Sequence, residues 1–170
     1  GSTGVGVEST VVDCTVQPPQ ILRPGGIFQE QIEAVIGKVQ VDRALIDMKE
    51  TPKSPGMKYR HYAPNVPLFL VEGSTQFLQQ LVDNKRAEGL RVGVLTTEEN
   101  KHRYTAEAIL ACGKREQPHT VASKLFATLR LFDQEKVDII FAETFPKSGI
   151  GSAIMNRLGK ASGQQIIKEN

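Results

Sequence analysis

Several kinds of protein are excluded by what this chain has little of. No apolar run approaches the roughly 20 residues that cross a bilayer, and no signal peptide opens the sequence. Only two cysteines occur, Cys14 and Cys112, at a spacing that fits neither a metal site nor a disulfide framework, so a cytoplasmic, reducing setting is expected. Charge of one sign is not in excess. The formal net charge of +2 is too small to make nucleic acid the main partner. The three histidines, His61, His102 and His119, lie far apart without ligand spacing, and no metal site is expected. The Gly-rich start, Gly1 to Val7, lacks the Gly-Lys-Ser/Thr ending of a phosphate loop. There is no internal repeat, no low-complexity segment and no initiator Met, and the chain reads as a fragment of a longer protein.

What remains is a soluble globular composition, with 39% hydrophobic and 24% charged residues in 170. That length suits one domain with an appendage or with the remnant of another. Three zones separate. Residues 1–41 are rich in Gly and Val. Val5, Val7, Ser9, Val11 and Asp13 alternate onto one strand face, and Glu8, Thr10 and Val12 onto the other. Ile21-Leu22-Arg23 forms a second short strand, stopped by Pro24-Gly25-Gly26. Gln29 to Ile36 is predicted as a helix with Ile32, Val35 and Ile36 inward and Gly37 ending it, followed by a strand at Val39-Gln40-Val41. This zone is too small to bury a sound core alone and must pack on something else.

Residues 42–66 hold prolines and charges without a period and read as a linker. Residues 67–170 repeat strand then helix. Strands are predicted at Leu68 to Val71, Val92 to Leu95, Ala106 to Leu110 and Val137 to Ala142, the last an apolar run expected of a buried central strand. Ser74 caps a helix with Phe77, Leu78, Leu81 and Val82 inward. Thr120 is predicted to cap a second, with Val121, Leu125, Leu129 and Phe132 inward. Gly149 to Ser162 is the closing helix, with Ile150, Ala153, Ile154 and Leu158 inward. The alternation predicts an α/β fold, a mainly parallel Rossmann-like sheet with helices on both faces.

Few residues carry chemistry. Ser9 sits on a strand face among valines, where its hydroxyl either bonds neighbouring backbone or meets a ligand. No base lies near enough in sequence to activate it as a nucleophile. Arg23 ends an apolar strand beside a bend, and is either half of a surface ion pair or a fork for phosphate or carboxylate. Gly149-Ile150-Gly151 opens a helix. The third glycine of a dinucleotide fingerprint would fall at Ile154 and is absent, so a simple helix-entry turn is the better reading. Glu98, Glu99 and Glu143 show no catalytic pairing in the sequence, and the third zone shows no catalytic constellation of its own. The segment Ser54-Pro55-Gly56-Met57-Lys58-Tyr59-Arg60-His61-Tyr62-Ala63-Pro64 cannot be a helix. In an extended chain Lys58 and Arg60 share one side while Tyr59 and His61 take the other. It is either a solvated basic linker or a strip offering charge to phosphates and aromatic faces to a base.

Val7-Glu8-Ser9-Thr10-Val11-Val12-Asp13, Ile21-Leu22-Arg23-Pro24-Gly25 and Ser54 to Pro64 occur in that order. Together with Gly151-Ser152-Ala153-Ile154-Met155-Asn156-Arg157-Leu158, they resemble the two-domain threonylcarbamoyl-AMP synthases over nearly the whole chain. The resemblance implies the C-terminal remnant of an α/β YrdC-like catalytic domain (1–41), a linker acting as a lid (42–66) and a C-terminal α/β domain (67–170). It implies a synthesis of threonylcarbamoyl-AMP and pyrophosphate from ATP, L-threonine and bicarbonate, for threonylcarbamoyladenosine modification of tRNA, with Mg²⁺ accompanying ATP. Ser9 would contact threonine, and Arg23 and Tyr59 would contact ATP. Lys58, Arg60, His61 and Tyr62 are further lid candidates. No covalent catalytic residue is expected. The partners implied are the missing part of the catalytic domain and, indirectly, the machinery that transfers the product to tRNA. This stretch alone would be inactive. The alternative is a nucleotide-sensing or partner-binding α/β module without catalysis.

Overall fold

The computed structural model describes residues 8–45 and 63–170. Two sheets form. The first has three short strands in the order β1 (Val11–Asp13), β2 (Gln20–Arg23), β3 (Gln40–Val41). β1 and β2 are antiparallel and β2 and β3 parallel. The helix α1 (Gln29–Ile36) joins β2 to β3, and a 3-10 turn, Arg43–Leu45, follows. α1 has the predicted extent and ends at Gly37, whose φ of +80° is the left-handed region that glycine enters freely. Its predicted burial is corrected. No residue of α1 is buried, and Val35 is 83% and Ile36 48% exposed. The apolar stripe is present, but among the described residues only Ile32 of that stripe is half-buried, and Val35 and Ile36 are left uncovered. Val5 and Val7 lie outside the described residues.

The second sheet has five strands, all parallel, in the order β6-β5-β7-β4-β8. They are β4 (Leu68–Glu72), β5 (Val92–Thr96), β6 (Ala108–Ala111), β7 (Ile139–Glu143) and β8 (Ile166–Lys168). Helices α2 (Thr75–Ala87), α3 (Pro118–Leu131) and α4 (Ile150–Ser162) make the crossovers, and a 3-10 turn, Lys101–Arg103, follows β5. Strand alternation divides the core. Leu68, Leu70, Leu95, Ile140 and Ala142 face α3 and α4 with Leu125, Leu129, Phe132, Ile154 and Leu158. Val71, Val92, Val94, Ile139 and Phe141 face the other way, with Leu78 and Val82 of α2. This is the expected parallel sheet covered on both faces. β7 is its central strand, buried along its whole length.

Ser74 caps α2 as predicted, its Oγ accepting from the Phe77 N–H at 3.1 Å. Thr120 does not cap α3. That helix starts at Pro118, whose fixed φ and missing N–H suit a first turn. Thr120 instead clasps the preceding loop, its Oγ1 donating to the Gln117 carbonyl at 2.7 Å and accepting from the Lys114 N–H at 2.8 Å. α4 does not close the fold either. Gly163 turns the chain at φ +61°, and β8 pairs beside β4 at the sheet edge.

Candidate functional site

The strand-end bend predicted at Pro24-Gly25-Gly26 builds a corner. The Glu8–Thr10 backbone crosses directly over Gly25, where a Cβ would lie 2.2 Å from the Glu8 carbonyl oxygen, so only glycine fits unless the backbone moves. The crossing is pinned on both sides. The Gly26 N–H donates to the Glu8 carbonyl at 3.3 Å. Thr10 Oγ1 donates to the Ile27 carbonyl at 2.7 Å and accepts from the Ile27 N–H at 3.1 Å. Arg23, at the end of β2, reaches across: its Nε donates to the Ser9 carbonyl at 3.0 Å and its Nη2 to Ser9 Oγ at 3.1 Å. The two residues singled out in this zone therefore meet. Ser9 is exposed and precedes β1, and does not sit on an inward strand face as predicted. The tight crossing at Gly25 turns it out of the strand.

The corner rests on α4. Arg157 is buried, with its guanidinium 4.7 Å over the Phe126 ring and its Nη2 3.4 Å from Glu8 Oε2. Lys160, one turn on, has its pKa lowered. Burial contributes most, Glu8 opposes it, and Arg23 and Arg157 add to it. A groove of about 400 Å³ opens between the two sheets, with Thr10, Gly25, Ile27, Met155 and Asn156 among its walls. Gly149 and Gly151 shape the entry to α4 beside it. A Cβ at Gly151 would lie 2.0 Å from the Pro146 carbonyl oxygen, which agrees with the helix-entry reading of this glycine pair.

A second polar centre lies at the carboxyl end of the five-stranded sheet. Glu143, the last residue of β7, is 7% exposed. Its Oε1 accepts from Thr96 Oγ1 at 2.9 Å, Asn100 Nδ2 at 3.0 Å and Tyr104 OH at 2.6 Å. Its Oε2 accepts from Arg115 Nη2 at 2.7 Å. The Tyr104 hydroxyl has its pKa raised, first by burial and then by its bond to Glu143. Glu99 has its pKa lowered, mainly by accepting from the Arg115 N–H. Glu143, which shows no catalytic pairing in the sequence, is thus the centre of a polar network. The residues that meet it are up to 47 positions away in sequence, beyond the reach of any local motif.

Lys58, Tyr59, Arg60, His61 and Tyr62 lie outside the described residues. Among the described residues no group of three or more His, Cys, Asp or Glu is placed to hold a metal ion, and no helix is long and apolar enough to cross a membrane. Sequence reasoning missed Arg157 and Lys160 as neighbours of Ser9 and Arg23. An arginine and a lysine spaced three apart, so that they share one side of an otherwise apolar helix, were the available signal.

With this geometry in hand, likeness to known proteins becomes informative. The family described as "Threonylcarbamoyl-AMP synthase, C-terminal domain" matches residues 27–163. The threonylcarbamoyl-AMP synthase of Bacillus subtilis (strain 168) is 55% identical over 168 residues, covering 99% of this chain and 49% of the relative. That of Pyrococcus abyssi is 42% identical over 173 residues, again covering 99% of this chain and 49% of the relative. The crystal structure of P. abyssi Sua5 complexed with L-threonine superposes with a TM-score of 0.87 at 41% identity, covering 100% of this chain and 50% of that one. The chain spans about half the length of the curated relatives it matches.

Proposed function

The chain belongs to the threonylcarbamoyl-AMP synthase C-terminal domain family, and on that premise we propose that it is the C-terminal portion of an ATP-dependent L-threonylcarbamoyladenylate synthase. In the reaction the threonine amine attacks the bicarbonate carbon, a C–O bond breaks and water leaves, giving a carbamate. The carbamate oxygen then attacks the α-phosphorus of ATP, and pyrophosphate leaves. The product serves threonylcarbamoyladenosine modification of tRNA. The observation that carries the reading is the Ser9–Arg23 corner, in a chain that superposes over its whole length on a synthase bound to L-threonine.

In this reading residues 1–41 complete a catalytic domain, residues 42–66 form a lid, and residues 67–170 are the accessory domain that carries both. Ser9 contacts threonine. Arg23, held by Ser9 on one edge of its guanidinium, contacts ATP. Tyr59 closes over the nucleotide, with Lys58, Arg60, His61 and Tyr62 in the same strip. A carbamate and a mixed anhydride are both lost readily to water, so a closing strip protects them. The protein positions reactants and stabilises charge without supplying a covalent nucleophile. Mg²⁺ would accompany ATP as Mg-ATP. The exposed Val35 and Ile36 of α1 are the seam for the rest of the catalytic domain.

The test is pyrophosphate release from ATP by the full-length protein, with and without threonine and bicarbonate, beside Arg23→Ala and Tyr59→Ala. Release that depends on both substrates and falls at least about tenfold in each variant is expected. A folded full-length protein with no threonine dependence overturns the reading. The 170-residue chain is expected to show no turnover, and robust turnover would refute its role as an incomplete site.

A further inference from the structure

In open parallel sheets, ligands bind outside the carboxyl ends of the strands, where neighbouring crossovers leave on opposite faces. Here that point lies between β4 and β7, which are adjacent. The helix after β4 is α2, on one face, and the helix after β7 is α4, on the other. A cleft of about 340 Å³ opens there. Its volume is near the lower end for small-molecule sites, which favours a small metabolite over a dinucleotide.

The cleft is lined by polar groups gathered from four strand ends. Ser74 follows β4, Asn100 and Tyr104 follow β5, Arg115 follows β6, and Glu143 ends β7. This is an unusual expense at a sheet end. A buried ion pair adds little stability over an apolar cluster of the same size. The opposite end of the same sheet carries more exposed pairs, Arg91 with Asp138 at 2.8 Å, with side chains 51% and 35% exposed, and Arg86 with Glu107 at 2.9 Å, with side chains 40% and 32% exposed.

The arrangement immobilises one side chain above all. Arg115 is held at its backbone N–H by Glu99 at 3.0 Å, and at Nη2 by Glu143 and by the Thr144 carbonyl at 3.2 Å. Its guanidinium lies 4.8 Å over the Phe145 ring. Yet 36% of the side chain remains exposed. An arginine fixed in place before a ligand arrives loses little further freedom on binding, and its planar fork suits an oxyanion. Both Glu143 oxygens are already occupied, so Glu143 positions Arg115 and is not itself open to a ligand. The first turn of α2 is also committed, since the Ser74 N–H and Oγ donate to the Glu169 carboxylate at 2.6 and 2.9 Å.

We propose that this cleft is a second ligand site, separate from the Ser9–Arg23 corner, that takes a small phosphate- or carboxylate-bearing molecule with Arg115 as its anion anchor and Asn100 and Tyr104 beside it. The site belongs to the five-stranded unit and stands whether or not the synthase reading does.

The test is titration of the 170-residue chain with inorganic phosphate, AMP and malonate, followed by backbone amide NMR. Saturable millimolar shifts centred on Asn100, Arg115 and Thr144 are expected for at least one probe. Phosphate and AMP without malonate would identify a phosphate site, and malonate alone a carboxylate site. Arg115→Met is expected to weaken binding at least about tenfold, with Arg115→Lys intermediate and Arg91→Met unchanged. No saturable shift with any probe overturns the proposal. So do shifts centred on Ser9 and Arg23, or binding that a folded Arg115→Met retains. The wild-type map decides the matter even if Arg115→Met fails to fold.

Discussion

The two sheets of this chain are opposites in how they treat apolar side chains. The five-stranded unit buries Phe132, Phe141, Leu125, Ile140 and Ile154 almost completely. The three-stranded sheet buries Ile21, Leu22 and Val39 but leaves Ile27, Val35 and Ile36 facing out. Both have apolar stripes at the right spacing, so the stripe alone does not decide burial. What differs is whether the opposing layer lies in the same stretch of chain. The five-stranded unit is closed by its own helices, whereas the three-stranded sheet leaves part of its stripe uncovered among the described residues. Under the proposed function, that exposed apolar face is where the rest of the catalytic domain would pack.

The largest test of this contrast is truncation. Ile154→Ala is expected to lower stability by about 2–5 kcal/mol, because a buried side chain leaves a cavity. Val35→Ser in the same chain should stay within about 0.5 kcal/mol. Denaturant midpoints measure both, and comparable losses would erase the distinction. The cysteines give a chemical version. Cys112 is buried and its thiol is pushed up to about 12, chiefly by burial and then by the Glu143 charge. Cys14 is exposed. A thiol reagent at pH 8 should label Cys14 at least about a hundredfold faster, since the thiolate is the reactive form. Equal rates would mean that the five-stranded unit opens as readily as the smaller sheet.

A third substitution probes the contact between the units. Arg157→Leu should cost about 1–2 kcal/mol, less than breaking a fully buried pair, because Glu8 stays partly in water. It should also shift the NMR signal of Arg23 Nε, since Glu8 adjoins the Ser9 that Arg23 holds. An unmoved signal would show that α4 does not steady the corner. The smallest effect sits at the amino end of the large sheet. Arg91 donates to Asp138 from both its side chain and its backbone, holding that carboxyl at about 2. The folded value is below the unfolded one, near 3.9. The pair therefore stabilises the fold above that value and fades as pH falls toward about 2. The stability difference between wild type and Asp138→Asn should be present at pH 6 and shrink between pH 4 and pH 2. A difference that grows on acidification would contradict the pairing.

Much of the large sheet was legible because its signals are local. The apolar runs at Leu68, Val92 and Ile139 and the Ser74 cap each act within a few residues. β8 was not legible, since three residues with only Ile167 half-buried carry no pattern of their own and become a strand through pairing with β4. The start of α3 was misplaced because Thr120 looks like a cap, while Pro118 had already fixed the first turn. Arg23 was legible as an arginine at a strand end, although its partner Ser9 was placed on the wrong surface. The Glu143 centre was invisible, because its five residues converge only once three strands are in register.

The strand order has a further consequence, in time. β4 is the first strand of the large sheet to be synthesised, yet its neighbours are β7 and β8, the last two. While the chain is growing, β4 has no partner and waits on the ribosome with both edges unpaired. Contacts of such long sequence separation close slowly and leave apolar segments exposed meanwhile. Only the last helix and strand, when they arrive, enclose it.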